Sequence, residues 1–565
     1  MLTRIQRGVI AVVLVLACAG LVAMTAAPAA SYDVLLRGGR IVDGTGSPWF
    51  VADLAIRGDR IAAIGNLAGA KAKLSLDVRG LVVAPGFIDM LGQSELTVLA
   101  DAHLRSKVGQ GITTELTGEG ASVAPMTDYL LGELEPTTRD LKIAIDWTDL
   151  QGYARRLGKQ GSALNFAHLV GATQVRAAVL GGDNRPPTPA ELESMKRHVA
   201  RAMEQGAFGL SSSLIYPPAA FADTAELVEL AKVAARYGGF YASHVRGESD
   251  NLIEALREAE RIGEQAGIGV EVWHFKSAGR RNKGRIADAI SEIEAARERG
   301  VDMTADMYPY IAAATDLSAC LPPTASEGGL SALVARLKDP AARAAIRREI
   351  ETPTSRWENL YQLAGGAEGV MVAGVHTEVN RKHQGKRVSE IAAARGSDPL
   401  ETIFDLLVEE GGTVDSIYFI MDEVDVRAAM ATPWVAFDCD APGVRPDGIL
   451  GEKSIHPRAY GTFPRILGRY VREQGVLGLE EAVRKMTSLP ARRIGLLDRG
   501  LLRPGAFADV TVFDPRTIID KATFEAPHQY AEGIVHVFVN GQSVLETGKF
   551  TSALPGRFLK GPGMN

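Results

Sequence analysis

Three cysteines in 565 residues are too few for a disulfide scaffold. Cys18 falls in an apolar N-terminal run, which leaves Cys320 and Cys439, and these pair only if folding brings them together. Positive charge is not in excess: the net charge is −6, and two of the basic residues, Arg4 and Arg7, stand at the extreme N-terminus. A mildly acidic chain argues against nucleic acid or an anionic membrane as its main partner. Beyond residue 30 no stretch is long and apolar enough to span a bilayer. The composition, 46% hydrophobic and 23% charged, is that of a globular protein and suggests neither disorder, collagen nor a coiled coil.

The N-terminus reads as an export signal. Arg4 and Arg7 form a basic region, Gly8 to Ala23 an apolar core, and Ala27-Pro28-Ala29 and Pro28-Ala29-Ala30 small-residue cut sites before Ser31. Val15-Leu16-Ala17-Cys18 is a poor lipoprotein box, because Leu16 is bulky next to the cut. Residues 1–30 are therefore expected to be a signal peptide, and the mature protein to be periplasmic or secreted.

At 565 residues the chain exceeds one ordinary core, and a barrel of ~250 residues or more with an appended domain fits better. Residues 31–83 look all-β: short apolar runs are punctuated by Gly38-Gly39, Gly44-Thr-Gly46 and Gly58-Asp59. The same texture returns in Ala508-Asp-Val-Thr-Val-Phe513 and Val537-Phe-Val-Asn-Gly541. One small composite β-sandwich built from residues 31–83 and 495–565 is expected.

Between them strands and helices alternate, which points to a parallel sheet. Eight strand candidates end in informative residues: Asp89, Glu119, Gly171, Tyr216, His244, His274, Asp306 with Tyr308, and Asp438 with Asp440. Amphipathic stretches such as Glu226–Ala235 and Asn251–Ala266 lie between them. Polar residues gathered at the C-terminal ends of strands are the signature of an α/β protein of the (β/α)8, TIM-like barrel class, here over residues 84–494. The stretch between the last two strands is too long for a loop. Ser331–Leu337, Ala341–Ile350 and Asp398–Glu410 are helix-like, so a mainly helical insertion is expected at about residues 322–430.

His244 and His274 are one strand–helix unit apart, each after an apolar run. Adjacent barrel strands would set both imidazoles over the mouth, where they suit zinc or another borderline divalent ion. Asp440, in Phe437-Asp-Cys-Asp-Ala441, ends the last strand. A carboxylate there could take a proton from an activated water and return it to a leaving amine; Asp438 is the competing candidate.

At family level, His244-Val-Arg-Gly-Glu248 and His274-Phe-Lys276 resemble the metal-binding strands of N-acyl-D-amino-acid deacylases, members of the amidohydrolase superfamily. Asp306-Met-Tyr-Pro-Tyr310, His456-Pro-Arg-Ala-Tyr-Gly-Thr-Phe463, Met486-Thr-Ser-Leu-Pro-Ala491, Pro504-Gly-Ala-Phe-Ala-Asp509 and Ala526-Pro-His-Gln-Tyr530 match as well, in order, from about Tyr32 to Leu559. The resemblance implies a barrel with a composite β domain and a metal-dependent hydrolysis of N-acyl-D-amino acids to a carboxylate and a free D-amino acid. It also places Lys276, Tyr308 (with Tyr310 as alternative) and Arg458 near a substrate carboxylate, a role that an ammonium and a guanidinium fork suit.

The departures are specific. The family's His-any-His after Gly86-Phe-Ile-Asp89 is replaced by Leu91 and Gln93. Where the family carries a cysteine after the second strand, Gly118-Glu119-Gly120 stands, one residue shorter. The resemblance thus implies one lost and one retained metal position, the latter formed by Glu119, His244, His274 and a water: one zinc ion per chain, with Asp440 catalytic. The competing readings are a cyclic-amide hydrolase of the dihydropyrimidinase or hydantoinase kind, a dipeptidase, or a non-catalytic periplasmic binding protein on this scaffold. The expected partner is a small N-acyl amino acid, with no nucleic acid and no membrane beyond the export signal.

Overall fold

The structure, a computed structural model, describes residues 31–353 and 356–564; the expected signal peptide lies outside the described residues. Short apolar runs between glycine turns form β1 (Ser31–Ile41), β2 (Phe50–Arg57), β3 (Arg60–Gly65), β4 (Lys71–Asp77) and β5 (Val82–Pro85). Strand β1 changes neighbour along its length. Its first half pairs in parallel with β4 and its last residues with β5, while β2 runs antiparallel along the other edge.

The chain then enters the barrel through β6 (Phe87–Asp89), β7 (Ile112–Thr117), β8 (Asn165–His168) and its short continuation β9 (Val170–Gly171). β10 (Gly209–Ser213), β11 (Phe240–His244), β12 (Val270–Val272) and β13 (Met303–Met307) follow, each pairing in parallel with the one before. Helices between them cover the outside. In helix Leu252–Ala266, Leu252, Ala255, Leu256, Ala259 and Ile262 are buried, the apolar stripe of an amphipathic helix. Its end is set by Gly267, whose φ of +64° suits a residue without Cβ.

Strand β13 leads into an inserted unit. It holds helices Leu330–Lys338, Pro340–Glu351, Val388–Arg395 and Pro399–Glu409, and a small antiparallel sheet of β14 (Ala313–Asp316), β15 (Val370–Gly374) and β16 (Asp415–Tyr418). Leu333, Ile350, Val372, Ile403, Phe404 and Leu407 belong to its own core. The unit opens at β14, ahead of the expected residue 322; Ala313-Ala-Thr-Asp316 has no alternating apolar pattern that would mark it as a strand in the sequence. Helix Glu423–Ala431 packs back on barrel helix Ile286–Glu298.

Strand β17 (Val435–Phe437) pairs with β13 and completes the ring. The seam with β6 is closed by Asp440 N donating to Leu91 O at 2.9 Å and by a parallel bridge between Gly92 and Ala441. On the other side Phe208 N donates to His168 O at 2.8 Å, linking β8 to β10. The interior is filled by Leu91, Leu116, Ala167, Ala242, Trp273 and Ala436, so this is a packed barrel and not a pore. Finally β18 (Val510–Phe513), β19 (Ile534–Val539), β20 (Gln542–Glu546) and β21 (Lys549–Phe550) join β5 and complete one nine-stranded sheet from both ends of the chain. Cys320, in the insert, and Cys439, after β17, are both buried and free. Among the described residues no helix is long and apolar enough to cross a membrane.

Candidate metal centre and catalytic carboxylate

Strand ends aim the site residues. His244 closes β11 and His274 follows β12, and their rings meet edge to face with centroids 4.4 Å apart. Glu119 follows β7 in a turn whose two glycines make it possible. Gly118 has φ +96° and Gly120 φ +62°, and a Cβ on Gly118 would fall 2.3 Å from Leu169 O. The turn delivers one carboxylate oxygen between the imidazoles: Glu119 Oε1 is 3.2 Å from His244 Nδ1 and 3.3 Å from His274 Nε2. One donor atom from each of the three residues lies within 4.8 Å of the others.

A divalent cation fits this set. The donors are one carboxylate oxygen and two imidazole nitrogens, the types zinc takes, and they converge in a buried place. The electrostatics agree. Burial and the Lys276 ammonium oppose charge on His274, yet Glu248 and Glu119 push its pKa up to about 10. Burial by itself would raise Glu119, but hydrogen bonds from His244 and His274 hold it well below the usual carboxylate range.

Glu248, four residues after His244, is a member of the site that the sequence marked only as part of a motif. Its Oε1 lies 3.0 Å from His274 Nδ1 and accepts from Lys276 Nζ at 2.6 Å. An acidic partner on the far nitrogen of a ligating histidine fixes the ring and its tautomer. The four-residue spacing from His244 was the available signal. Burial opposes its ionisation, but Lys276 and the two histidines hold the Glu248 carboxyl well below its ordinary range.

Asp440 stands on the other side of Glu119, with φ +43°, and His274 has φ +38°. Neither is glycine, and left-handed backbone at such positions stores strain of order 1–3 kcal/mol, a feature of functional sites. Asp440 Oδ2 is ion-paired with Arg458 Nη1 at 2.7 Å, and Asp440 Oδ1 accepts from Gln93 Nε2 at 2.7 Å. Burial raises the Asp440 pKa and Arg458 opposes the rise. Asp438 does not reach the cavity. It is buried behind, and burial and the Asp440 charge push it up to about 8.

Lys276, Tyr308 and Arg458 all border the open space, but neither cation is idle. The Lys276 ammonium serves Glu248 and lies 2.7 Å from His274 Nδ1, and Arg458 is paired with Asp440 and lies 4.5 Å from the Tyr308 ring. Arg458 keeps a buried Nε without a hydrogen-bond partner. A cavity of about 310 Å³ is lined by Glu119, His244, His274, Lys276, Tyr308 and Asp440, with Thr315 of the insert as part of its wall. A neighbouring one of about 420 Å³ shares Gln93, Thr315 and Asp440 and opens towards His376 and Lys453.

Residues 75–545 match the amidohydrolase family. A D-aminoacylase from Alcaligenes xylosoxydans xylosoxydans is 36% identical over 532 residues, 94% of this chain and 97% of that protein. The chain belongs to the N-acyl-D-amino-acid deacylase family of amidohydrolases. Among solved deacylases, N-acyl-D-glutamate deacylase from Bordetella bronchiseptica, complexed with zinc and a phosphonate mimic of the tetrahedral intermediate, matches 94% of this chain and 100% of its own. It does so at 34% identity and a TM-score of 0.80. A D-aminoacylase described by its binuclear metal center, with one-metal activation and second-metal attenuation, matches the same shares at 33% identity and a TM-score of 0.77.

Leu91 and Gln93, the residues after the first barrel strand, take different places. Leu91 is fully buried in the barrel-interior cluster that also holds Trp273 and Ala436. Gln93 lines the site cavity and donates through one nitrogen to two carboxylates, Glu119 Oε2 at 3.0 Å and Asp440 Oδ1. The sequence marked Gln93 as a lost ligand; the barrel seam makes it part of the site.

Proposed function

We propose that this deacylase-family member hydrolyses N-acyl-D-amino acids with one zinc ion held by Glu119, His244 and His274, and with Asp440 as its acid–base. The reading is carried by one observation: a single carboxylate oxygen between two imidazoles, beside a buried aspartate at the mouth of a deacylase-family barrel. When bound, such an ion polarises a carbonyl and makes a water molecule more acidic. The chain's own residues supply the rest. Asp440 accepts the water's proton as the oxygen adds to the acyl carbon, and then gives it to the amide nitrogen as the C–N bond breaks. The products are a carboxylate and a free amine. Arg458, with its unpartnered Nε, and Lys276 beside Tyr308 receive the substrate carboxylate. Glu248 keeps His274 turned towards Glu119.

The test is metal analysis of purified protein together with amine release from paired D and L N-acyl amino acids. About one ion per chain and cleavage of the D series are expected. Metal-loaded protein that cleaves no linear amide would leave the cyclic-amide and binding-protein readings. We also propose that residues 1–30 direct export. N-terminal sequencing of protein from the periplasm or medium should begin near Ala30 or Ser31, and an intact Met1 there would show an uncleaved anchor instead.

A further inference from the structure

The amide nitrogen of Gln93 donates to two carboxylates. Carboxylates only accept, so the amide must turn its NH2 group to them, which settles the orientation of its oxygen and nitrogen. Each amide hydrogen is then given to one acid: one to Glu119 Oε2 at 3.0 Å, the other to Asp440 Oδ1 at 2.7 Å. The two acids are thereby divided. Glu119 keeps Oε1 for the histidines, and Asp440 keeps Oδ2 for Arg458.

Gln93 is locked where it stands. Its own N donates to Ala441 O at 3.3 Å, and the preceding Gly92 N donates to Leu116 O at 2.7 Å. Gly92 has no room for a side chain, since a Cβ there would fall 2.5 Å from Glu115 Oε2. The backbone is thus fixed at this point, and the amide nitrogen reaches between the partly buried Glu119 and the buried Asp440.

We infer that Gln93 sets the cation count of this centre: its NH2 group occupies the gap between Glu119 and Asp440, holds both carboxylates in place and keeps a second divalent ion out. The inference rests on the metal-dependent reading proposed above. It makes Gln93 a positioning residue, acting through Glu119 and Asp440 and not on the substrate.

Gln93→Glu is nearly isosteric and replaces the donor with an acceptor. Three carboxylates then share one gap with no hydrogen between them, an oxygen-rich set that invites a cation. Wild type, Gln93→Glu and Gln93→His are dialysed to equilibrium against zinc and, separately, manganese. Ions per chain are counted, and the manganese forms are examined by electron paramagnetic resonance. About one ion is expected in wild type, and about two in at least one of the variants. Two manganese ions sharing Glu119 should give an exchange-coupled spectrum that wild type lacks, a signature that a merely structural hydrogen bond would not control. Folded variants that still hold a single uncoupled ion would overturn the inference, and so would wild type with two. Amine release by wild type is scored separately, so failure of the deacylase reading is not confused with failure of this one.

Discussion

Asp440, buried, and Glu119, partly buried, stand beside the same amide, and their neighbours give them different work. Glu119 is wedged between two histidines, Asp440 between an amide and a guanidinium. The difference is measurable. Asp440→Asn keeps shape and hydrogen bonding but cannot carry a proton. It should hold its metal and lose roughly 10²–10⁴-fold in turnover, while Asp438→Asn, away from the cavity, does far less. Glu119→Gln should do the reverse and release metal from a folded chain. Metal analysis and turnover on the same preparations check both; a metal-replete Glu119→Gln would make Glu119 a neighbour of the ion and not a ligand. Of these residues, the sequence pointed to Glu119, His244, His274 and Asp440, because each ends a recognisable strand. It did not show that Lys276 and Arg458 are held by Glu248 and Asp440, because such pairing depends on side chains from different strands.

At the scale of elements, the barrel was legible wherever an apolar run was bounded by a polar strand end and followed by an amphipathic helix. Helix Pro189–Glu204 shows how local chemistry sets a boundary. Thr188 accepts from Glu191 N, and the Glu191 side chain accepts in turn from Thr188 N, a capping box with Pro189 at the first helical position. Thr188→Ala should cost about 1 kcal/mol in a denaturant melt and leave metal content and turnover unchanged. A change in metal content would mean that this outer helix is coupled to the mouth. The insert was harder to read. Its helices carry apolar periodicity, but β14, β15 and β16 are short, and Ala313-Ala-Thr-Asp316 buries no alternating face.

Across the whole molecule, buried ionisable groups link stability to pH. Lys485, on helix Leu479–Met486, is fully buried and donates to the carbonyls of Met430 and Thr432. Burial lowers its pKa from 10.5 to about 7. With the folded value depressed, the unfolded chain binds more protons between these limits, so the stability this group contributes is complete above pH 10.5 and lost as pH falls towards 7. Thermal or urea melts should therefore show stability rising from pH 7 to 9 by up to about 1.4 kcal/mol per pH unit from this group. Lys485→Met should flatten that rise, and its deficit against wild type should be larger at pH 9 than at pH 7. An unaltered slope would assign the pH dependence to other groups.

Local pattern by itself determined that this chain is an α/β barrel with β segments at both ends, and which residues stand at its strand ends. Period and burial are properties of neighbours in the chain, and they survive without knowledge of the fold. The tertiary structure decided which of those residues meet. Glu119 finds His244 and His274 across 125 and 155 residues, and Gln93 finds Asp440 across 347. Closure of β6 on β17 sets the last of these contacts, so the register of the ring, and no local propensity, makes Gln93 a bridge between two acids. Buried charges take the nearest compensating partner, and only the packed barrel says which partner is nearest.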